Sequence, residues 1–182
     1  MNYLLGQFCG ILGMIFTILQ PQCKRKQNML LCCILVNGFN AANFFLLGQT
    51  GSSVLLCLVA VVQALLGIHH ERRQTEVSRT ETLVFFALYL GFGFYGLSSS
   101  EGFVWAVNRH NLLELLPIVG ALMLMLSVFA KDEQRTRGFL FLNGASWLVY
   151  SAMIGSTVVF SCVICMLSTS LALWKYRKQA VN

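Results

Sequence analysis

Charge is scarce in this chain. Asp, Glu, Lys and Arg make up 11% of its 182 residues, while 57% are hydrophobic. A soluble domain averages about 25% charged residues and needs more polar surface than this sequence can supply. The scarcity excludes an ordinary soluble fold. Strand-like alternation over stretches of roughly 10 residues is also missing, which excludes a membrane barrel. The N-terminal apolar segment has no basic n-region and no small-residue cleavage site, so a retained helix is expected there, not a signal peptide. No basic run is interleaved with aromatics, so nucleic acid is not an expected partner. The last apolar segment carries no lysine in its core, which argues against a retinal Schiff base. No nucleophile stands beside a base in a recognisable motif, and neither enzymatic activity nor a cofactor is expected.

What the chain does have is long apolar runs. Seven blocks stand out, at 3–19, 29–47, 53–68, 82–100, 112–130, 138–154 and 157–174. Each approaches the roughly 20 residues a helix needs to cross hydrocarbon, the third being short. Helices are expected because backbone groups in lipid must be satisfied internally. The fold class is therefore all-α, a polytopic membrane protein of seven helices.

Charge placement fixes an orientation for that reading. With the N-terminus outside and seven spans, all 13 basic residues except Arg109 fall on the cytoplasmic side, as the positive-inside rule requires. The net charge of +6 then reads as a topology signal. Its secondary role is to hold anionic headgroups of membrane lipids. The stretch "ILQPQCKRKQ" (18–27) becomes the cytoplasmic exit of the first helix, where Pro21 cannot continue the helix.

A shift of 107 residues lays the second half on the first without a gap. Gly13 meets Gly120, Lys24 meets Lys131, Gln27 meets Gln134 and Thr50 meets Thr157. Single identities mean little in apolar sequence. The matching block lengths and loops mean more. Three helices invert whatever follows, so two parallel triplets need one linker helix between them. The expected organisation is a first triple-helix repeat at 1–70, a cytoplasmic loop, linker helix and outer loop at 71–110, and a second repeat with a cytoplasmic tail at 111–182. Transporters use such repeats, with a site near the midplane between them.

This three-plus-one-plus-three pattern, with Pro21-Gln22 closing the first helix, resembles the SWEET and PQ-loop superfamily. In more detail the chain resembles the bacterial inner-membrane YgjV family, through "NFFLLGQ" (43–49), "ELLPIVG" (114–120) and "WLVY" (147–150). The wider resemblance implies facilitated transport of sugars or, in the PnuC-type branch, of nicotinamide riboside. The chain departs from it as well. Of the four pivot prolines of SWEET proteins only Pro21 has a match, because its repeat partner is Val128 and Pro117 lies opposite Gly10. In place of a substrate-facing Asn on each third helix stand Cys57 and Gln63, and Ser168, Thr169 and Ser170.

Polar side chains in membrane helices usually face the bundle interior or a wet cavity. Asn37, Asn40 and Asn43 recur at steps of three and share one side of the second helix. Asn143, Trp147 and Tyr150 form a narrow stripe on the sixth. Amides donate and accept hydrogen bonds, and aromatic rings offer stacking faces. The six together would suit a small neutral polar solute. The plainer reading has the amides bonding between helices.

Other motifs carry less. "GFGFYG" (91–96) matches a dinucleotide fingerprint but lies inside an apolar helix, where small residues serve close packing. Cys162 and Cys165 have no second CxxC at zinc-finger spacing, and His69 and His70 have no third ligand nearby. Metal is not expected. Asn111 and Glu114 read as a capping box at the start of the fifth helix. The expected function is a facilitator or exporter in the bacterial inner membrane, with membrane lipids around it and room for a homo-oligomer. A non-transporting scaffold or partner protein on the same fold is the alternative.

Overall fold

The structure, a computed structural model, describes residues 2–46, 52–98, 109–153 and 158–177. Seven α-helices run through them: α1 (Asn2–Leu19), α2 (Lys26–Leu46), α3 (Ser52–Arg73), α4 (Arg79–Ser98), α5 (Arg109–Phe129), α6 (Glu133–Met153) and α7 (Val158–Lys175), with a 3-10 turn at Gln20–Gln22 between α1 and α2. One helix overlaps each expected apolar block. Three segments, Tyr3–Gln22, Lys26–Leu46 and Val54–Arg73, are long and apolar enough to cross a membrane, and Leu115–Phe129 and Val159–Lys175 are shorter apolar helices.

The helices outrun the blocks, mainly toward the basic loops. Hydropathy marks the hydrocarbon, whereas caps set where the hydrogen-bond ladder begins. Before α4, Ser78 and Glu81 form a reciprocal capping box. The Ser78 N–H donates to Glu81 Oε2 at 2.7 Å, and the Glu81 N–H to Ser78 Oγ at 3.1 Å. Before α6, Asp132 Oδ1 accepts the Arg135 N–H at 2.7 Å. On α5 the helix already starts at Arg109, so Asn111 lies within its first turn and not at its boundary. The side chains of Asn111 and Glu114 lie outside the described residues.

Neighbours in sequence pack as neighbours in space: α2 against α1 and α3, and α6 against α5 and α7. Two further seams close the arrangement, α3 against α5 and α7 against α1, while α4 packs on both α3 and α5. The main core lies where α3, α4 and α5 meet, around Ala60, Phe85, Tyr89, Ala121 and Met125. A second cluster of Leu30, Cys33, Ala64 and Val128 joins α2, α3 and α5. Many other large apolar side chains point outward. Leu4, Phe8, Ile11, Ile15 and Leu19 are all exposed along α1 at spacings of three and four, a stripe suited to lipid and not to water.

The glycines of 91–96 do not act alike. A Cβ on Gly93 would lie 2.9 Å from Ile118 Cγ1 on α5, whereas one on Gly91 would meet nothing within 4 Å. Gly93→Leu is therefore expected to destabilise the protein through overpacking, by roughly 1–3 kcal/mol, while Gly91→Leu leaves stability nearly unchanged. Equilibrium unfolding of the two variants in micelles separates them. Equal effects would remove Gly93 from the α4–α5 seam.

Candidate functional site

Asn37 is buried, and its Nδ2 donates to the Cys33 carbonyl at 2.8 Å and to Cys33 Sγ at 3.4 Å. Its amide serves its own helix. Asn40 and Asn43 instead face α1. A Cβ on Gly13 would come within 2.6 Å of Asn40 Oδ1, and one on Gly10 within 2.9 Å of Asn43 Nδ2. The two glycines on α1 leave the room the two amides occupy.

The second half repeats this contact. A Cβ on Gly120 of α5 would lie 3.0 Å from Trp147 Nε1 and 3.2 Å from Asn143 Oδ1. The 107-residue shift carries Gly13 onto Gly120 and Asn40 onto Trp147, so one packing site recurs with an amide in one half and an indole in the other. Tyr150 joins Trp147 edge to face, with ring centroids 6.0 Å apart. The structure thus groups Asn40 with Asn43 at the α1–α2 seam, and Asn143 with Trp147 and Tyr150 on the α6 side of the α5–α6 pair. Two amide oxygens, Asn43 Oδ1 and Asn143 Oδ1, are buried and accept no hydrogen bond among the described residues. Two open grooves of about 440 and 430 Å³ lie elsewhere, one along Gln134, Leu173, Trp174 and Arg177, the other between Leu55 and the 87–95 stretch of α4.

A denser polar network, unforeseen from the sequence, lies at the basic ends of the helices. Arg137, on the second turn of α6, is 2% exposed. Its Nε donates to the Pro21 carbonyl at 3.0 Å and its Nη2 to the Cys23 carbonyl at 2.7 Å. Its guanidinium lies 4.4 Å from the Tyr176 ring centroid. The Tyr176 hydroxyl donates to the Gln22 carbonyl at 3.0 Å, and Gln22 Nε2 donates to Ser168 on α7. Pro21 and Gln22 are therefore gripped by the other half of the chain. Reciprocally, Lys26 on α2 donates to the Ala130 carbonyl just past α5 and lies 3.6 Å from Glu71.

Two of these acceptors obey the 107-residue shift. Cys23 O and Ala130 O are repeat partners, each receiving a cation from the second helix of the other half. Deeper in the bundle, Gln63 Nε2 of α3 donates to Met125 O of α5 at 2.9 Å, and Ser168 Oγ of α7 donates to Ile18 O of α1 at 2.8 Å. Ile18 and Met125 are repeat partners as well. Gln63 also accepts the Tyr89 hydroxyl at 2.9 Å, and Thr169 Oγ1 donates to the Cys165 carbonyl. Gln63 and Ser168 are thus engaged in joining helices, while Thr169 bonds within α7.

Around the 74–81 loop, His70 Nδ1 pairs with Thr75 Oγ1 and Nε2 with Glu81 Oε1, at 2.8 and 3.2 Å. The Ser78 backbone N–H, with His70 alongside, holds the Glu81 carboxyl below the usual range. Lys131, 2.7 Å away, does the same for the exposed Glu76. Among the described residues no group of three or more His, Cys, Asp or Glu side chains is placed to hold a metal.

The arrangement is one of internal polar joints between apolar helices, with three buried amide atoms left over among the described residues: Asn43 Oδ1, Asn143 Oδ1 and Gln134 Nε2. No curated protein and no solved structure matches the chain. A family of bacterial inner membrane proteins, Imp-YgjV, matches residues 4–180. With nearly its whole length covered by that match, the chain belongs to the Imp-YgjV family of bacterial inner membrane proteins.

Proposed function

We propose that the protein is a facilitator or exporter of a small neutral polar solute, built as two parallel helix triplets in a SWEET-like arrangement. The triplets are α1–α3 within 1–70 and α5–α7 within 111–182, joined through α4 in 71–110. All seven helices span the membrane, with the N-terminus outside and the C-terminus cytoplasmic. The repeated contacts support the pairing of halves: Gly13 with Asn40 answers Gly120 with Trp147, and two pairs of carbonyl acceptors, Ile18 with Met125 and Cys23 with Ala130, lie 107 residues apart. The basic-end grip of Arg137 and Lys26 then closes the cytoplasmic mouth and must loosen during transport.

The observation that carries the reading is the pair of unpartnered amide oxygens, Asn43 Oδ1 and Asn143 Oδ1, one on the middle helix of each triplet. A buried acceptor left without a donor costs about 1–3 kcal/mol. A hydroxyl or amide of a neutral solute can supply that donor, while the Trp147 indole offers it a stacking face. Membrane lipids surround the fold, self-association is compatible with it, and the reading involves no catalytic step, cofactor or nucleic acid.

A thermal-shift screen of purified protein against nucleosides, sugars and amino acids tests this. A ligand should raise the melting temperature, and Asn43→Ala, Asn143→Ala and Trp147→Ala should remove that rise. The apo form of the Asn variants should stay within about 1 kcal/mol of wild type, because each loses an acceptor already unsatisfied. If no ligand stabilises the protein and the three variants only lower apo stability, the residues are packing. The second reading would then stand, a non-transporting membrane scaffold or partner protein. Asn37 favours that reading, since its amide is already engaged with its own helix.

A further inference from the structure

We propose that Cys23 and Cys32 form a thiol–disulfide pair at the basic end of the fold, a modification site for disulfide-type oxidants such as glutathione disulfide. The inference does not rest on the transport reading. The two sulfurs lie 3.8 Å apart. Both thiols are free and partly exposed, whereas the adjacent Cys33 is fully buried. Forming the bond requires the sulfurs to close to about 2.05 Å. Cys23 is placed to make that move. It sits at the C-terminal end of the 3-10 turn, before α2, with an extended backbone (φ −66°, ψ 135°) whose N–H donates to the Gln20 carbonyl, so its side chain lies outside the α2 helix that carries Cys32. Lys24 and Arg25 follow it and are exposed. Their charge attracts anionic glutathione.

The chemistry balances in two displacements. Cys23 loses its proton to water, and its thiolate attacks one sulfur of glutathione disulfide. A bond forms from Cys23 Sγ to glutathione, the oxidant's S–S bond breaks, and one glutathione thiolate leaves. Cys32, deprotonated in turn, attacks Cys23 Sγ. The Cys23–Cys32 bond forms and the second glutathione thiolate departs. Two cysteines are oxidised, one glutathione disulfide is reduced to two thiols, and the two cysteine protons end on them.

The bond would fasten the Gln-Pro-Gln turn to α2. It acts on the residue whose carbonyl Arg137 holds at 2.7 Å and whose Sγ now donates to the Leu19 carbonyl at 3.5 Å. Oxidation therefore addresses the same joint that links the two halves of the chain.

The test treats the full-length protein in micelles with glutathione disulfide, blocks remaining thiols with N-ethylmaleimide, and maps the digest by mass spectrometry. The expected product is a peptide pair linked through Cys23 and Cys32, two hydrogens lighter than the reduced pair and restored by dithiothreitol. In Cys32→Ser the mixed disulfide on Cys23 has no resolving thiol and should accumulate by about tenfold over wild type. A wild-type protein that keeps glutathione on Cys23 with Cys32 alkylated overturns the proposal. So does one in which both thiols remain alkylatable. The wild-type measurement decides the matter even where the variant fails to fold.

Discussion

Arg137→Ala is expected to lower the unfolding free energy by about 3–4 kcal/mol, the largest loss from any single side chain at the basic end. The Arg137 side chain is almost completely buried, and among the described residues no carboxylate lies within ion-pair distance of it, although the Glu133 charge one turn earlier favours the cation; its direct partners are two carbonyls and an aromatic face. Hydrogen bonds from a charged donor contribute roughly 1.5–3 kcal/mol each, and losses at one site do not add fully. The acceptors follow the end of α1, where the helix dipole is negative and favours a cation. Alanine would leave the Pro21 and Cys23 carbonyls facing a hole. Arg137→Lys keeps the charge but not the planar fork that reaches both carbonyls, so it should recover about half of the loss. Lys131→Ala is the control: its ion pair with Glu76 is exposed on both sides, and such pairs are worth about 0–1 kcal/mol. Equilibrium unfolding in mixed micelles ranks the three. An Arg137→Ala variant within 1 kcal/mol of wild type would show that the two halves are not held together there.

Arg137 also shows why part of this architecture was readable in the sequence and part was not. Hydropathy located all seven helices, because lipid demands uninterrupted apolar runs. It did not locate their ends, which caps decide. The Ser78–Glu81 box before α4 carried a plain S-x-x-E signature; the box expected at Asn111 and Glu114 falls inside a helix that starts earlier. Arg137 entered the sequence reading only as one more cytoplasmic charge. Its repeat partner is Leu30, itself buried, and a cation replacing a core leucine in the repeat was the signal available.

The joints between halves were less visible still, for a physical reason. Their shared element is the backbone carbonyl at 18 and 125 and at 23 and 130. A carbonyl has no side-chain identity, and Ile18 answers Met125 as Cys23 answers Ala130. The donors differ in kind and register: Lys26 against Arg137, Gln63 against Ser168. A fold can preserve where an acceptor points while the donor changes residue and helix turn. Aligning side chains therefore recovers loop identities such as Lys24 and Lys131 and passes over the bonds. The six site residues divide the same way. They lie on α2 and α6 at the expected helical spacing, but Asn37 turned to its own backbone, a choice set by local hydrogen-bond competition that periodicity cannot express.

Gln63→Leu should cost about 2–3 kcal/mol, and adding Tyr89→Phe should return part of it. Gln63 is completely buried where α3, α4 and α5 meet, donating to Met125 O and accepting from Tyr89. Interhelical hydrogen bonds in membrane bundles average only about 0.6 kcal/mol, because the separated helices find other partners. That average would predict a mild loss. The larger expectation comes from what is left behind. Tyr89 is 1% exposed, so once Gln63 is gone its hydroxyl reaches neither water nor headgroup, and stranding it costs about 1–3 kcal/mol. Met125 O is less affected, since it is also an acceptor in the α5 ladder. Phenylalanine removes the stranded hydroxyl and keeps the ring against Ala60, Phe85 and Met125. A double-mutant cycle read by unfolding should therefore show the pair less destabilised than the sum of its singles, with a coupling of about 1 kcal/mol or more. Additive losses would mean that the Tyr89 hydroxyl finds another partner when Gln63 is removed, and that the buried bond between α3 and α4 contributes little to holding the helices together.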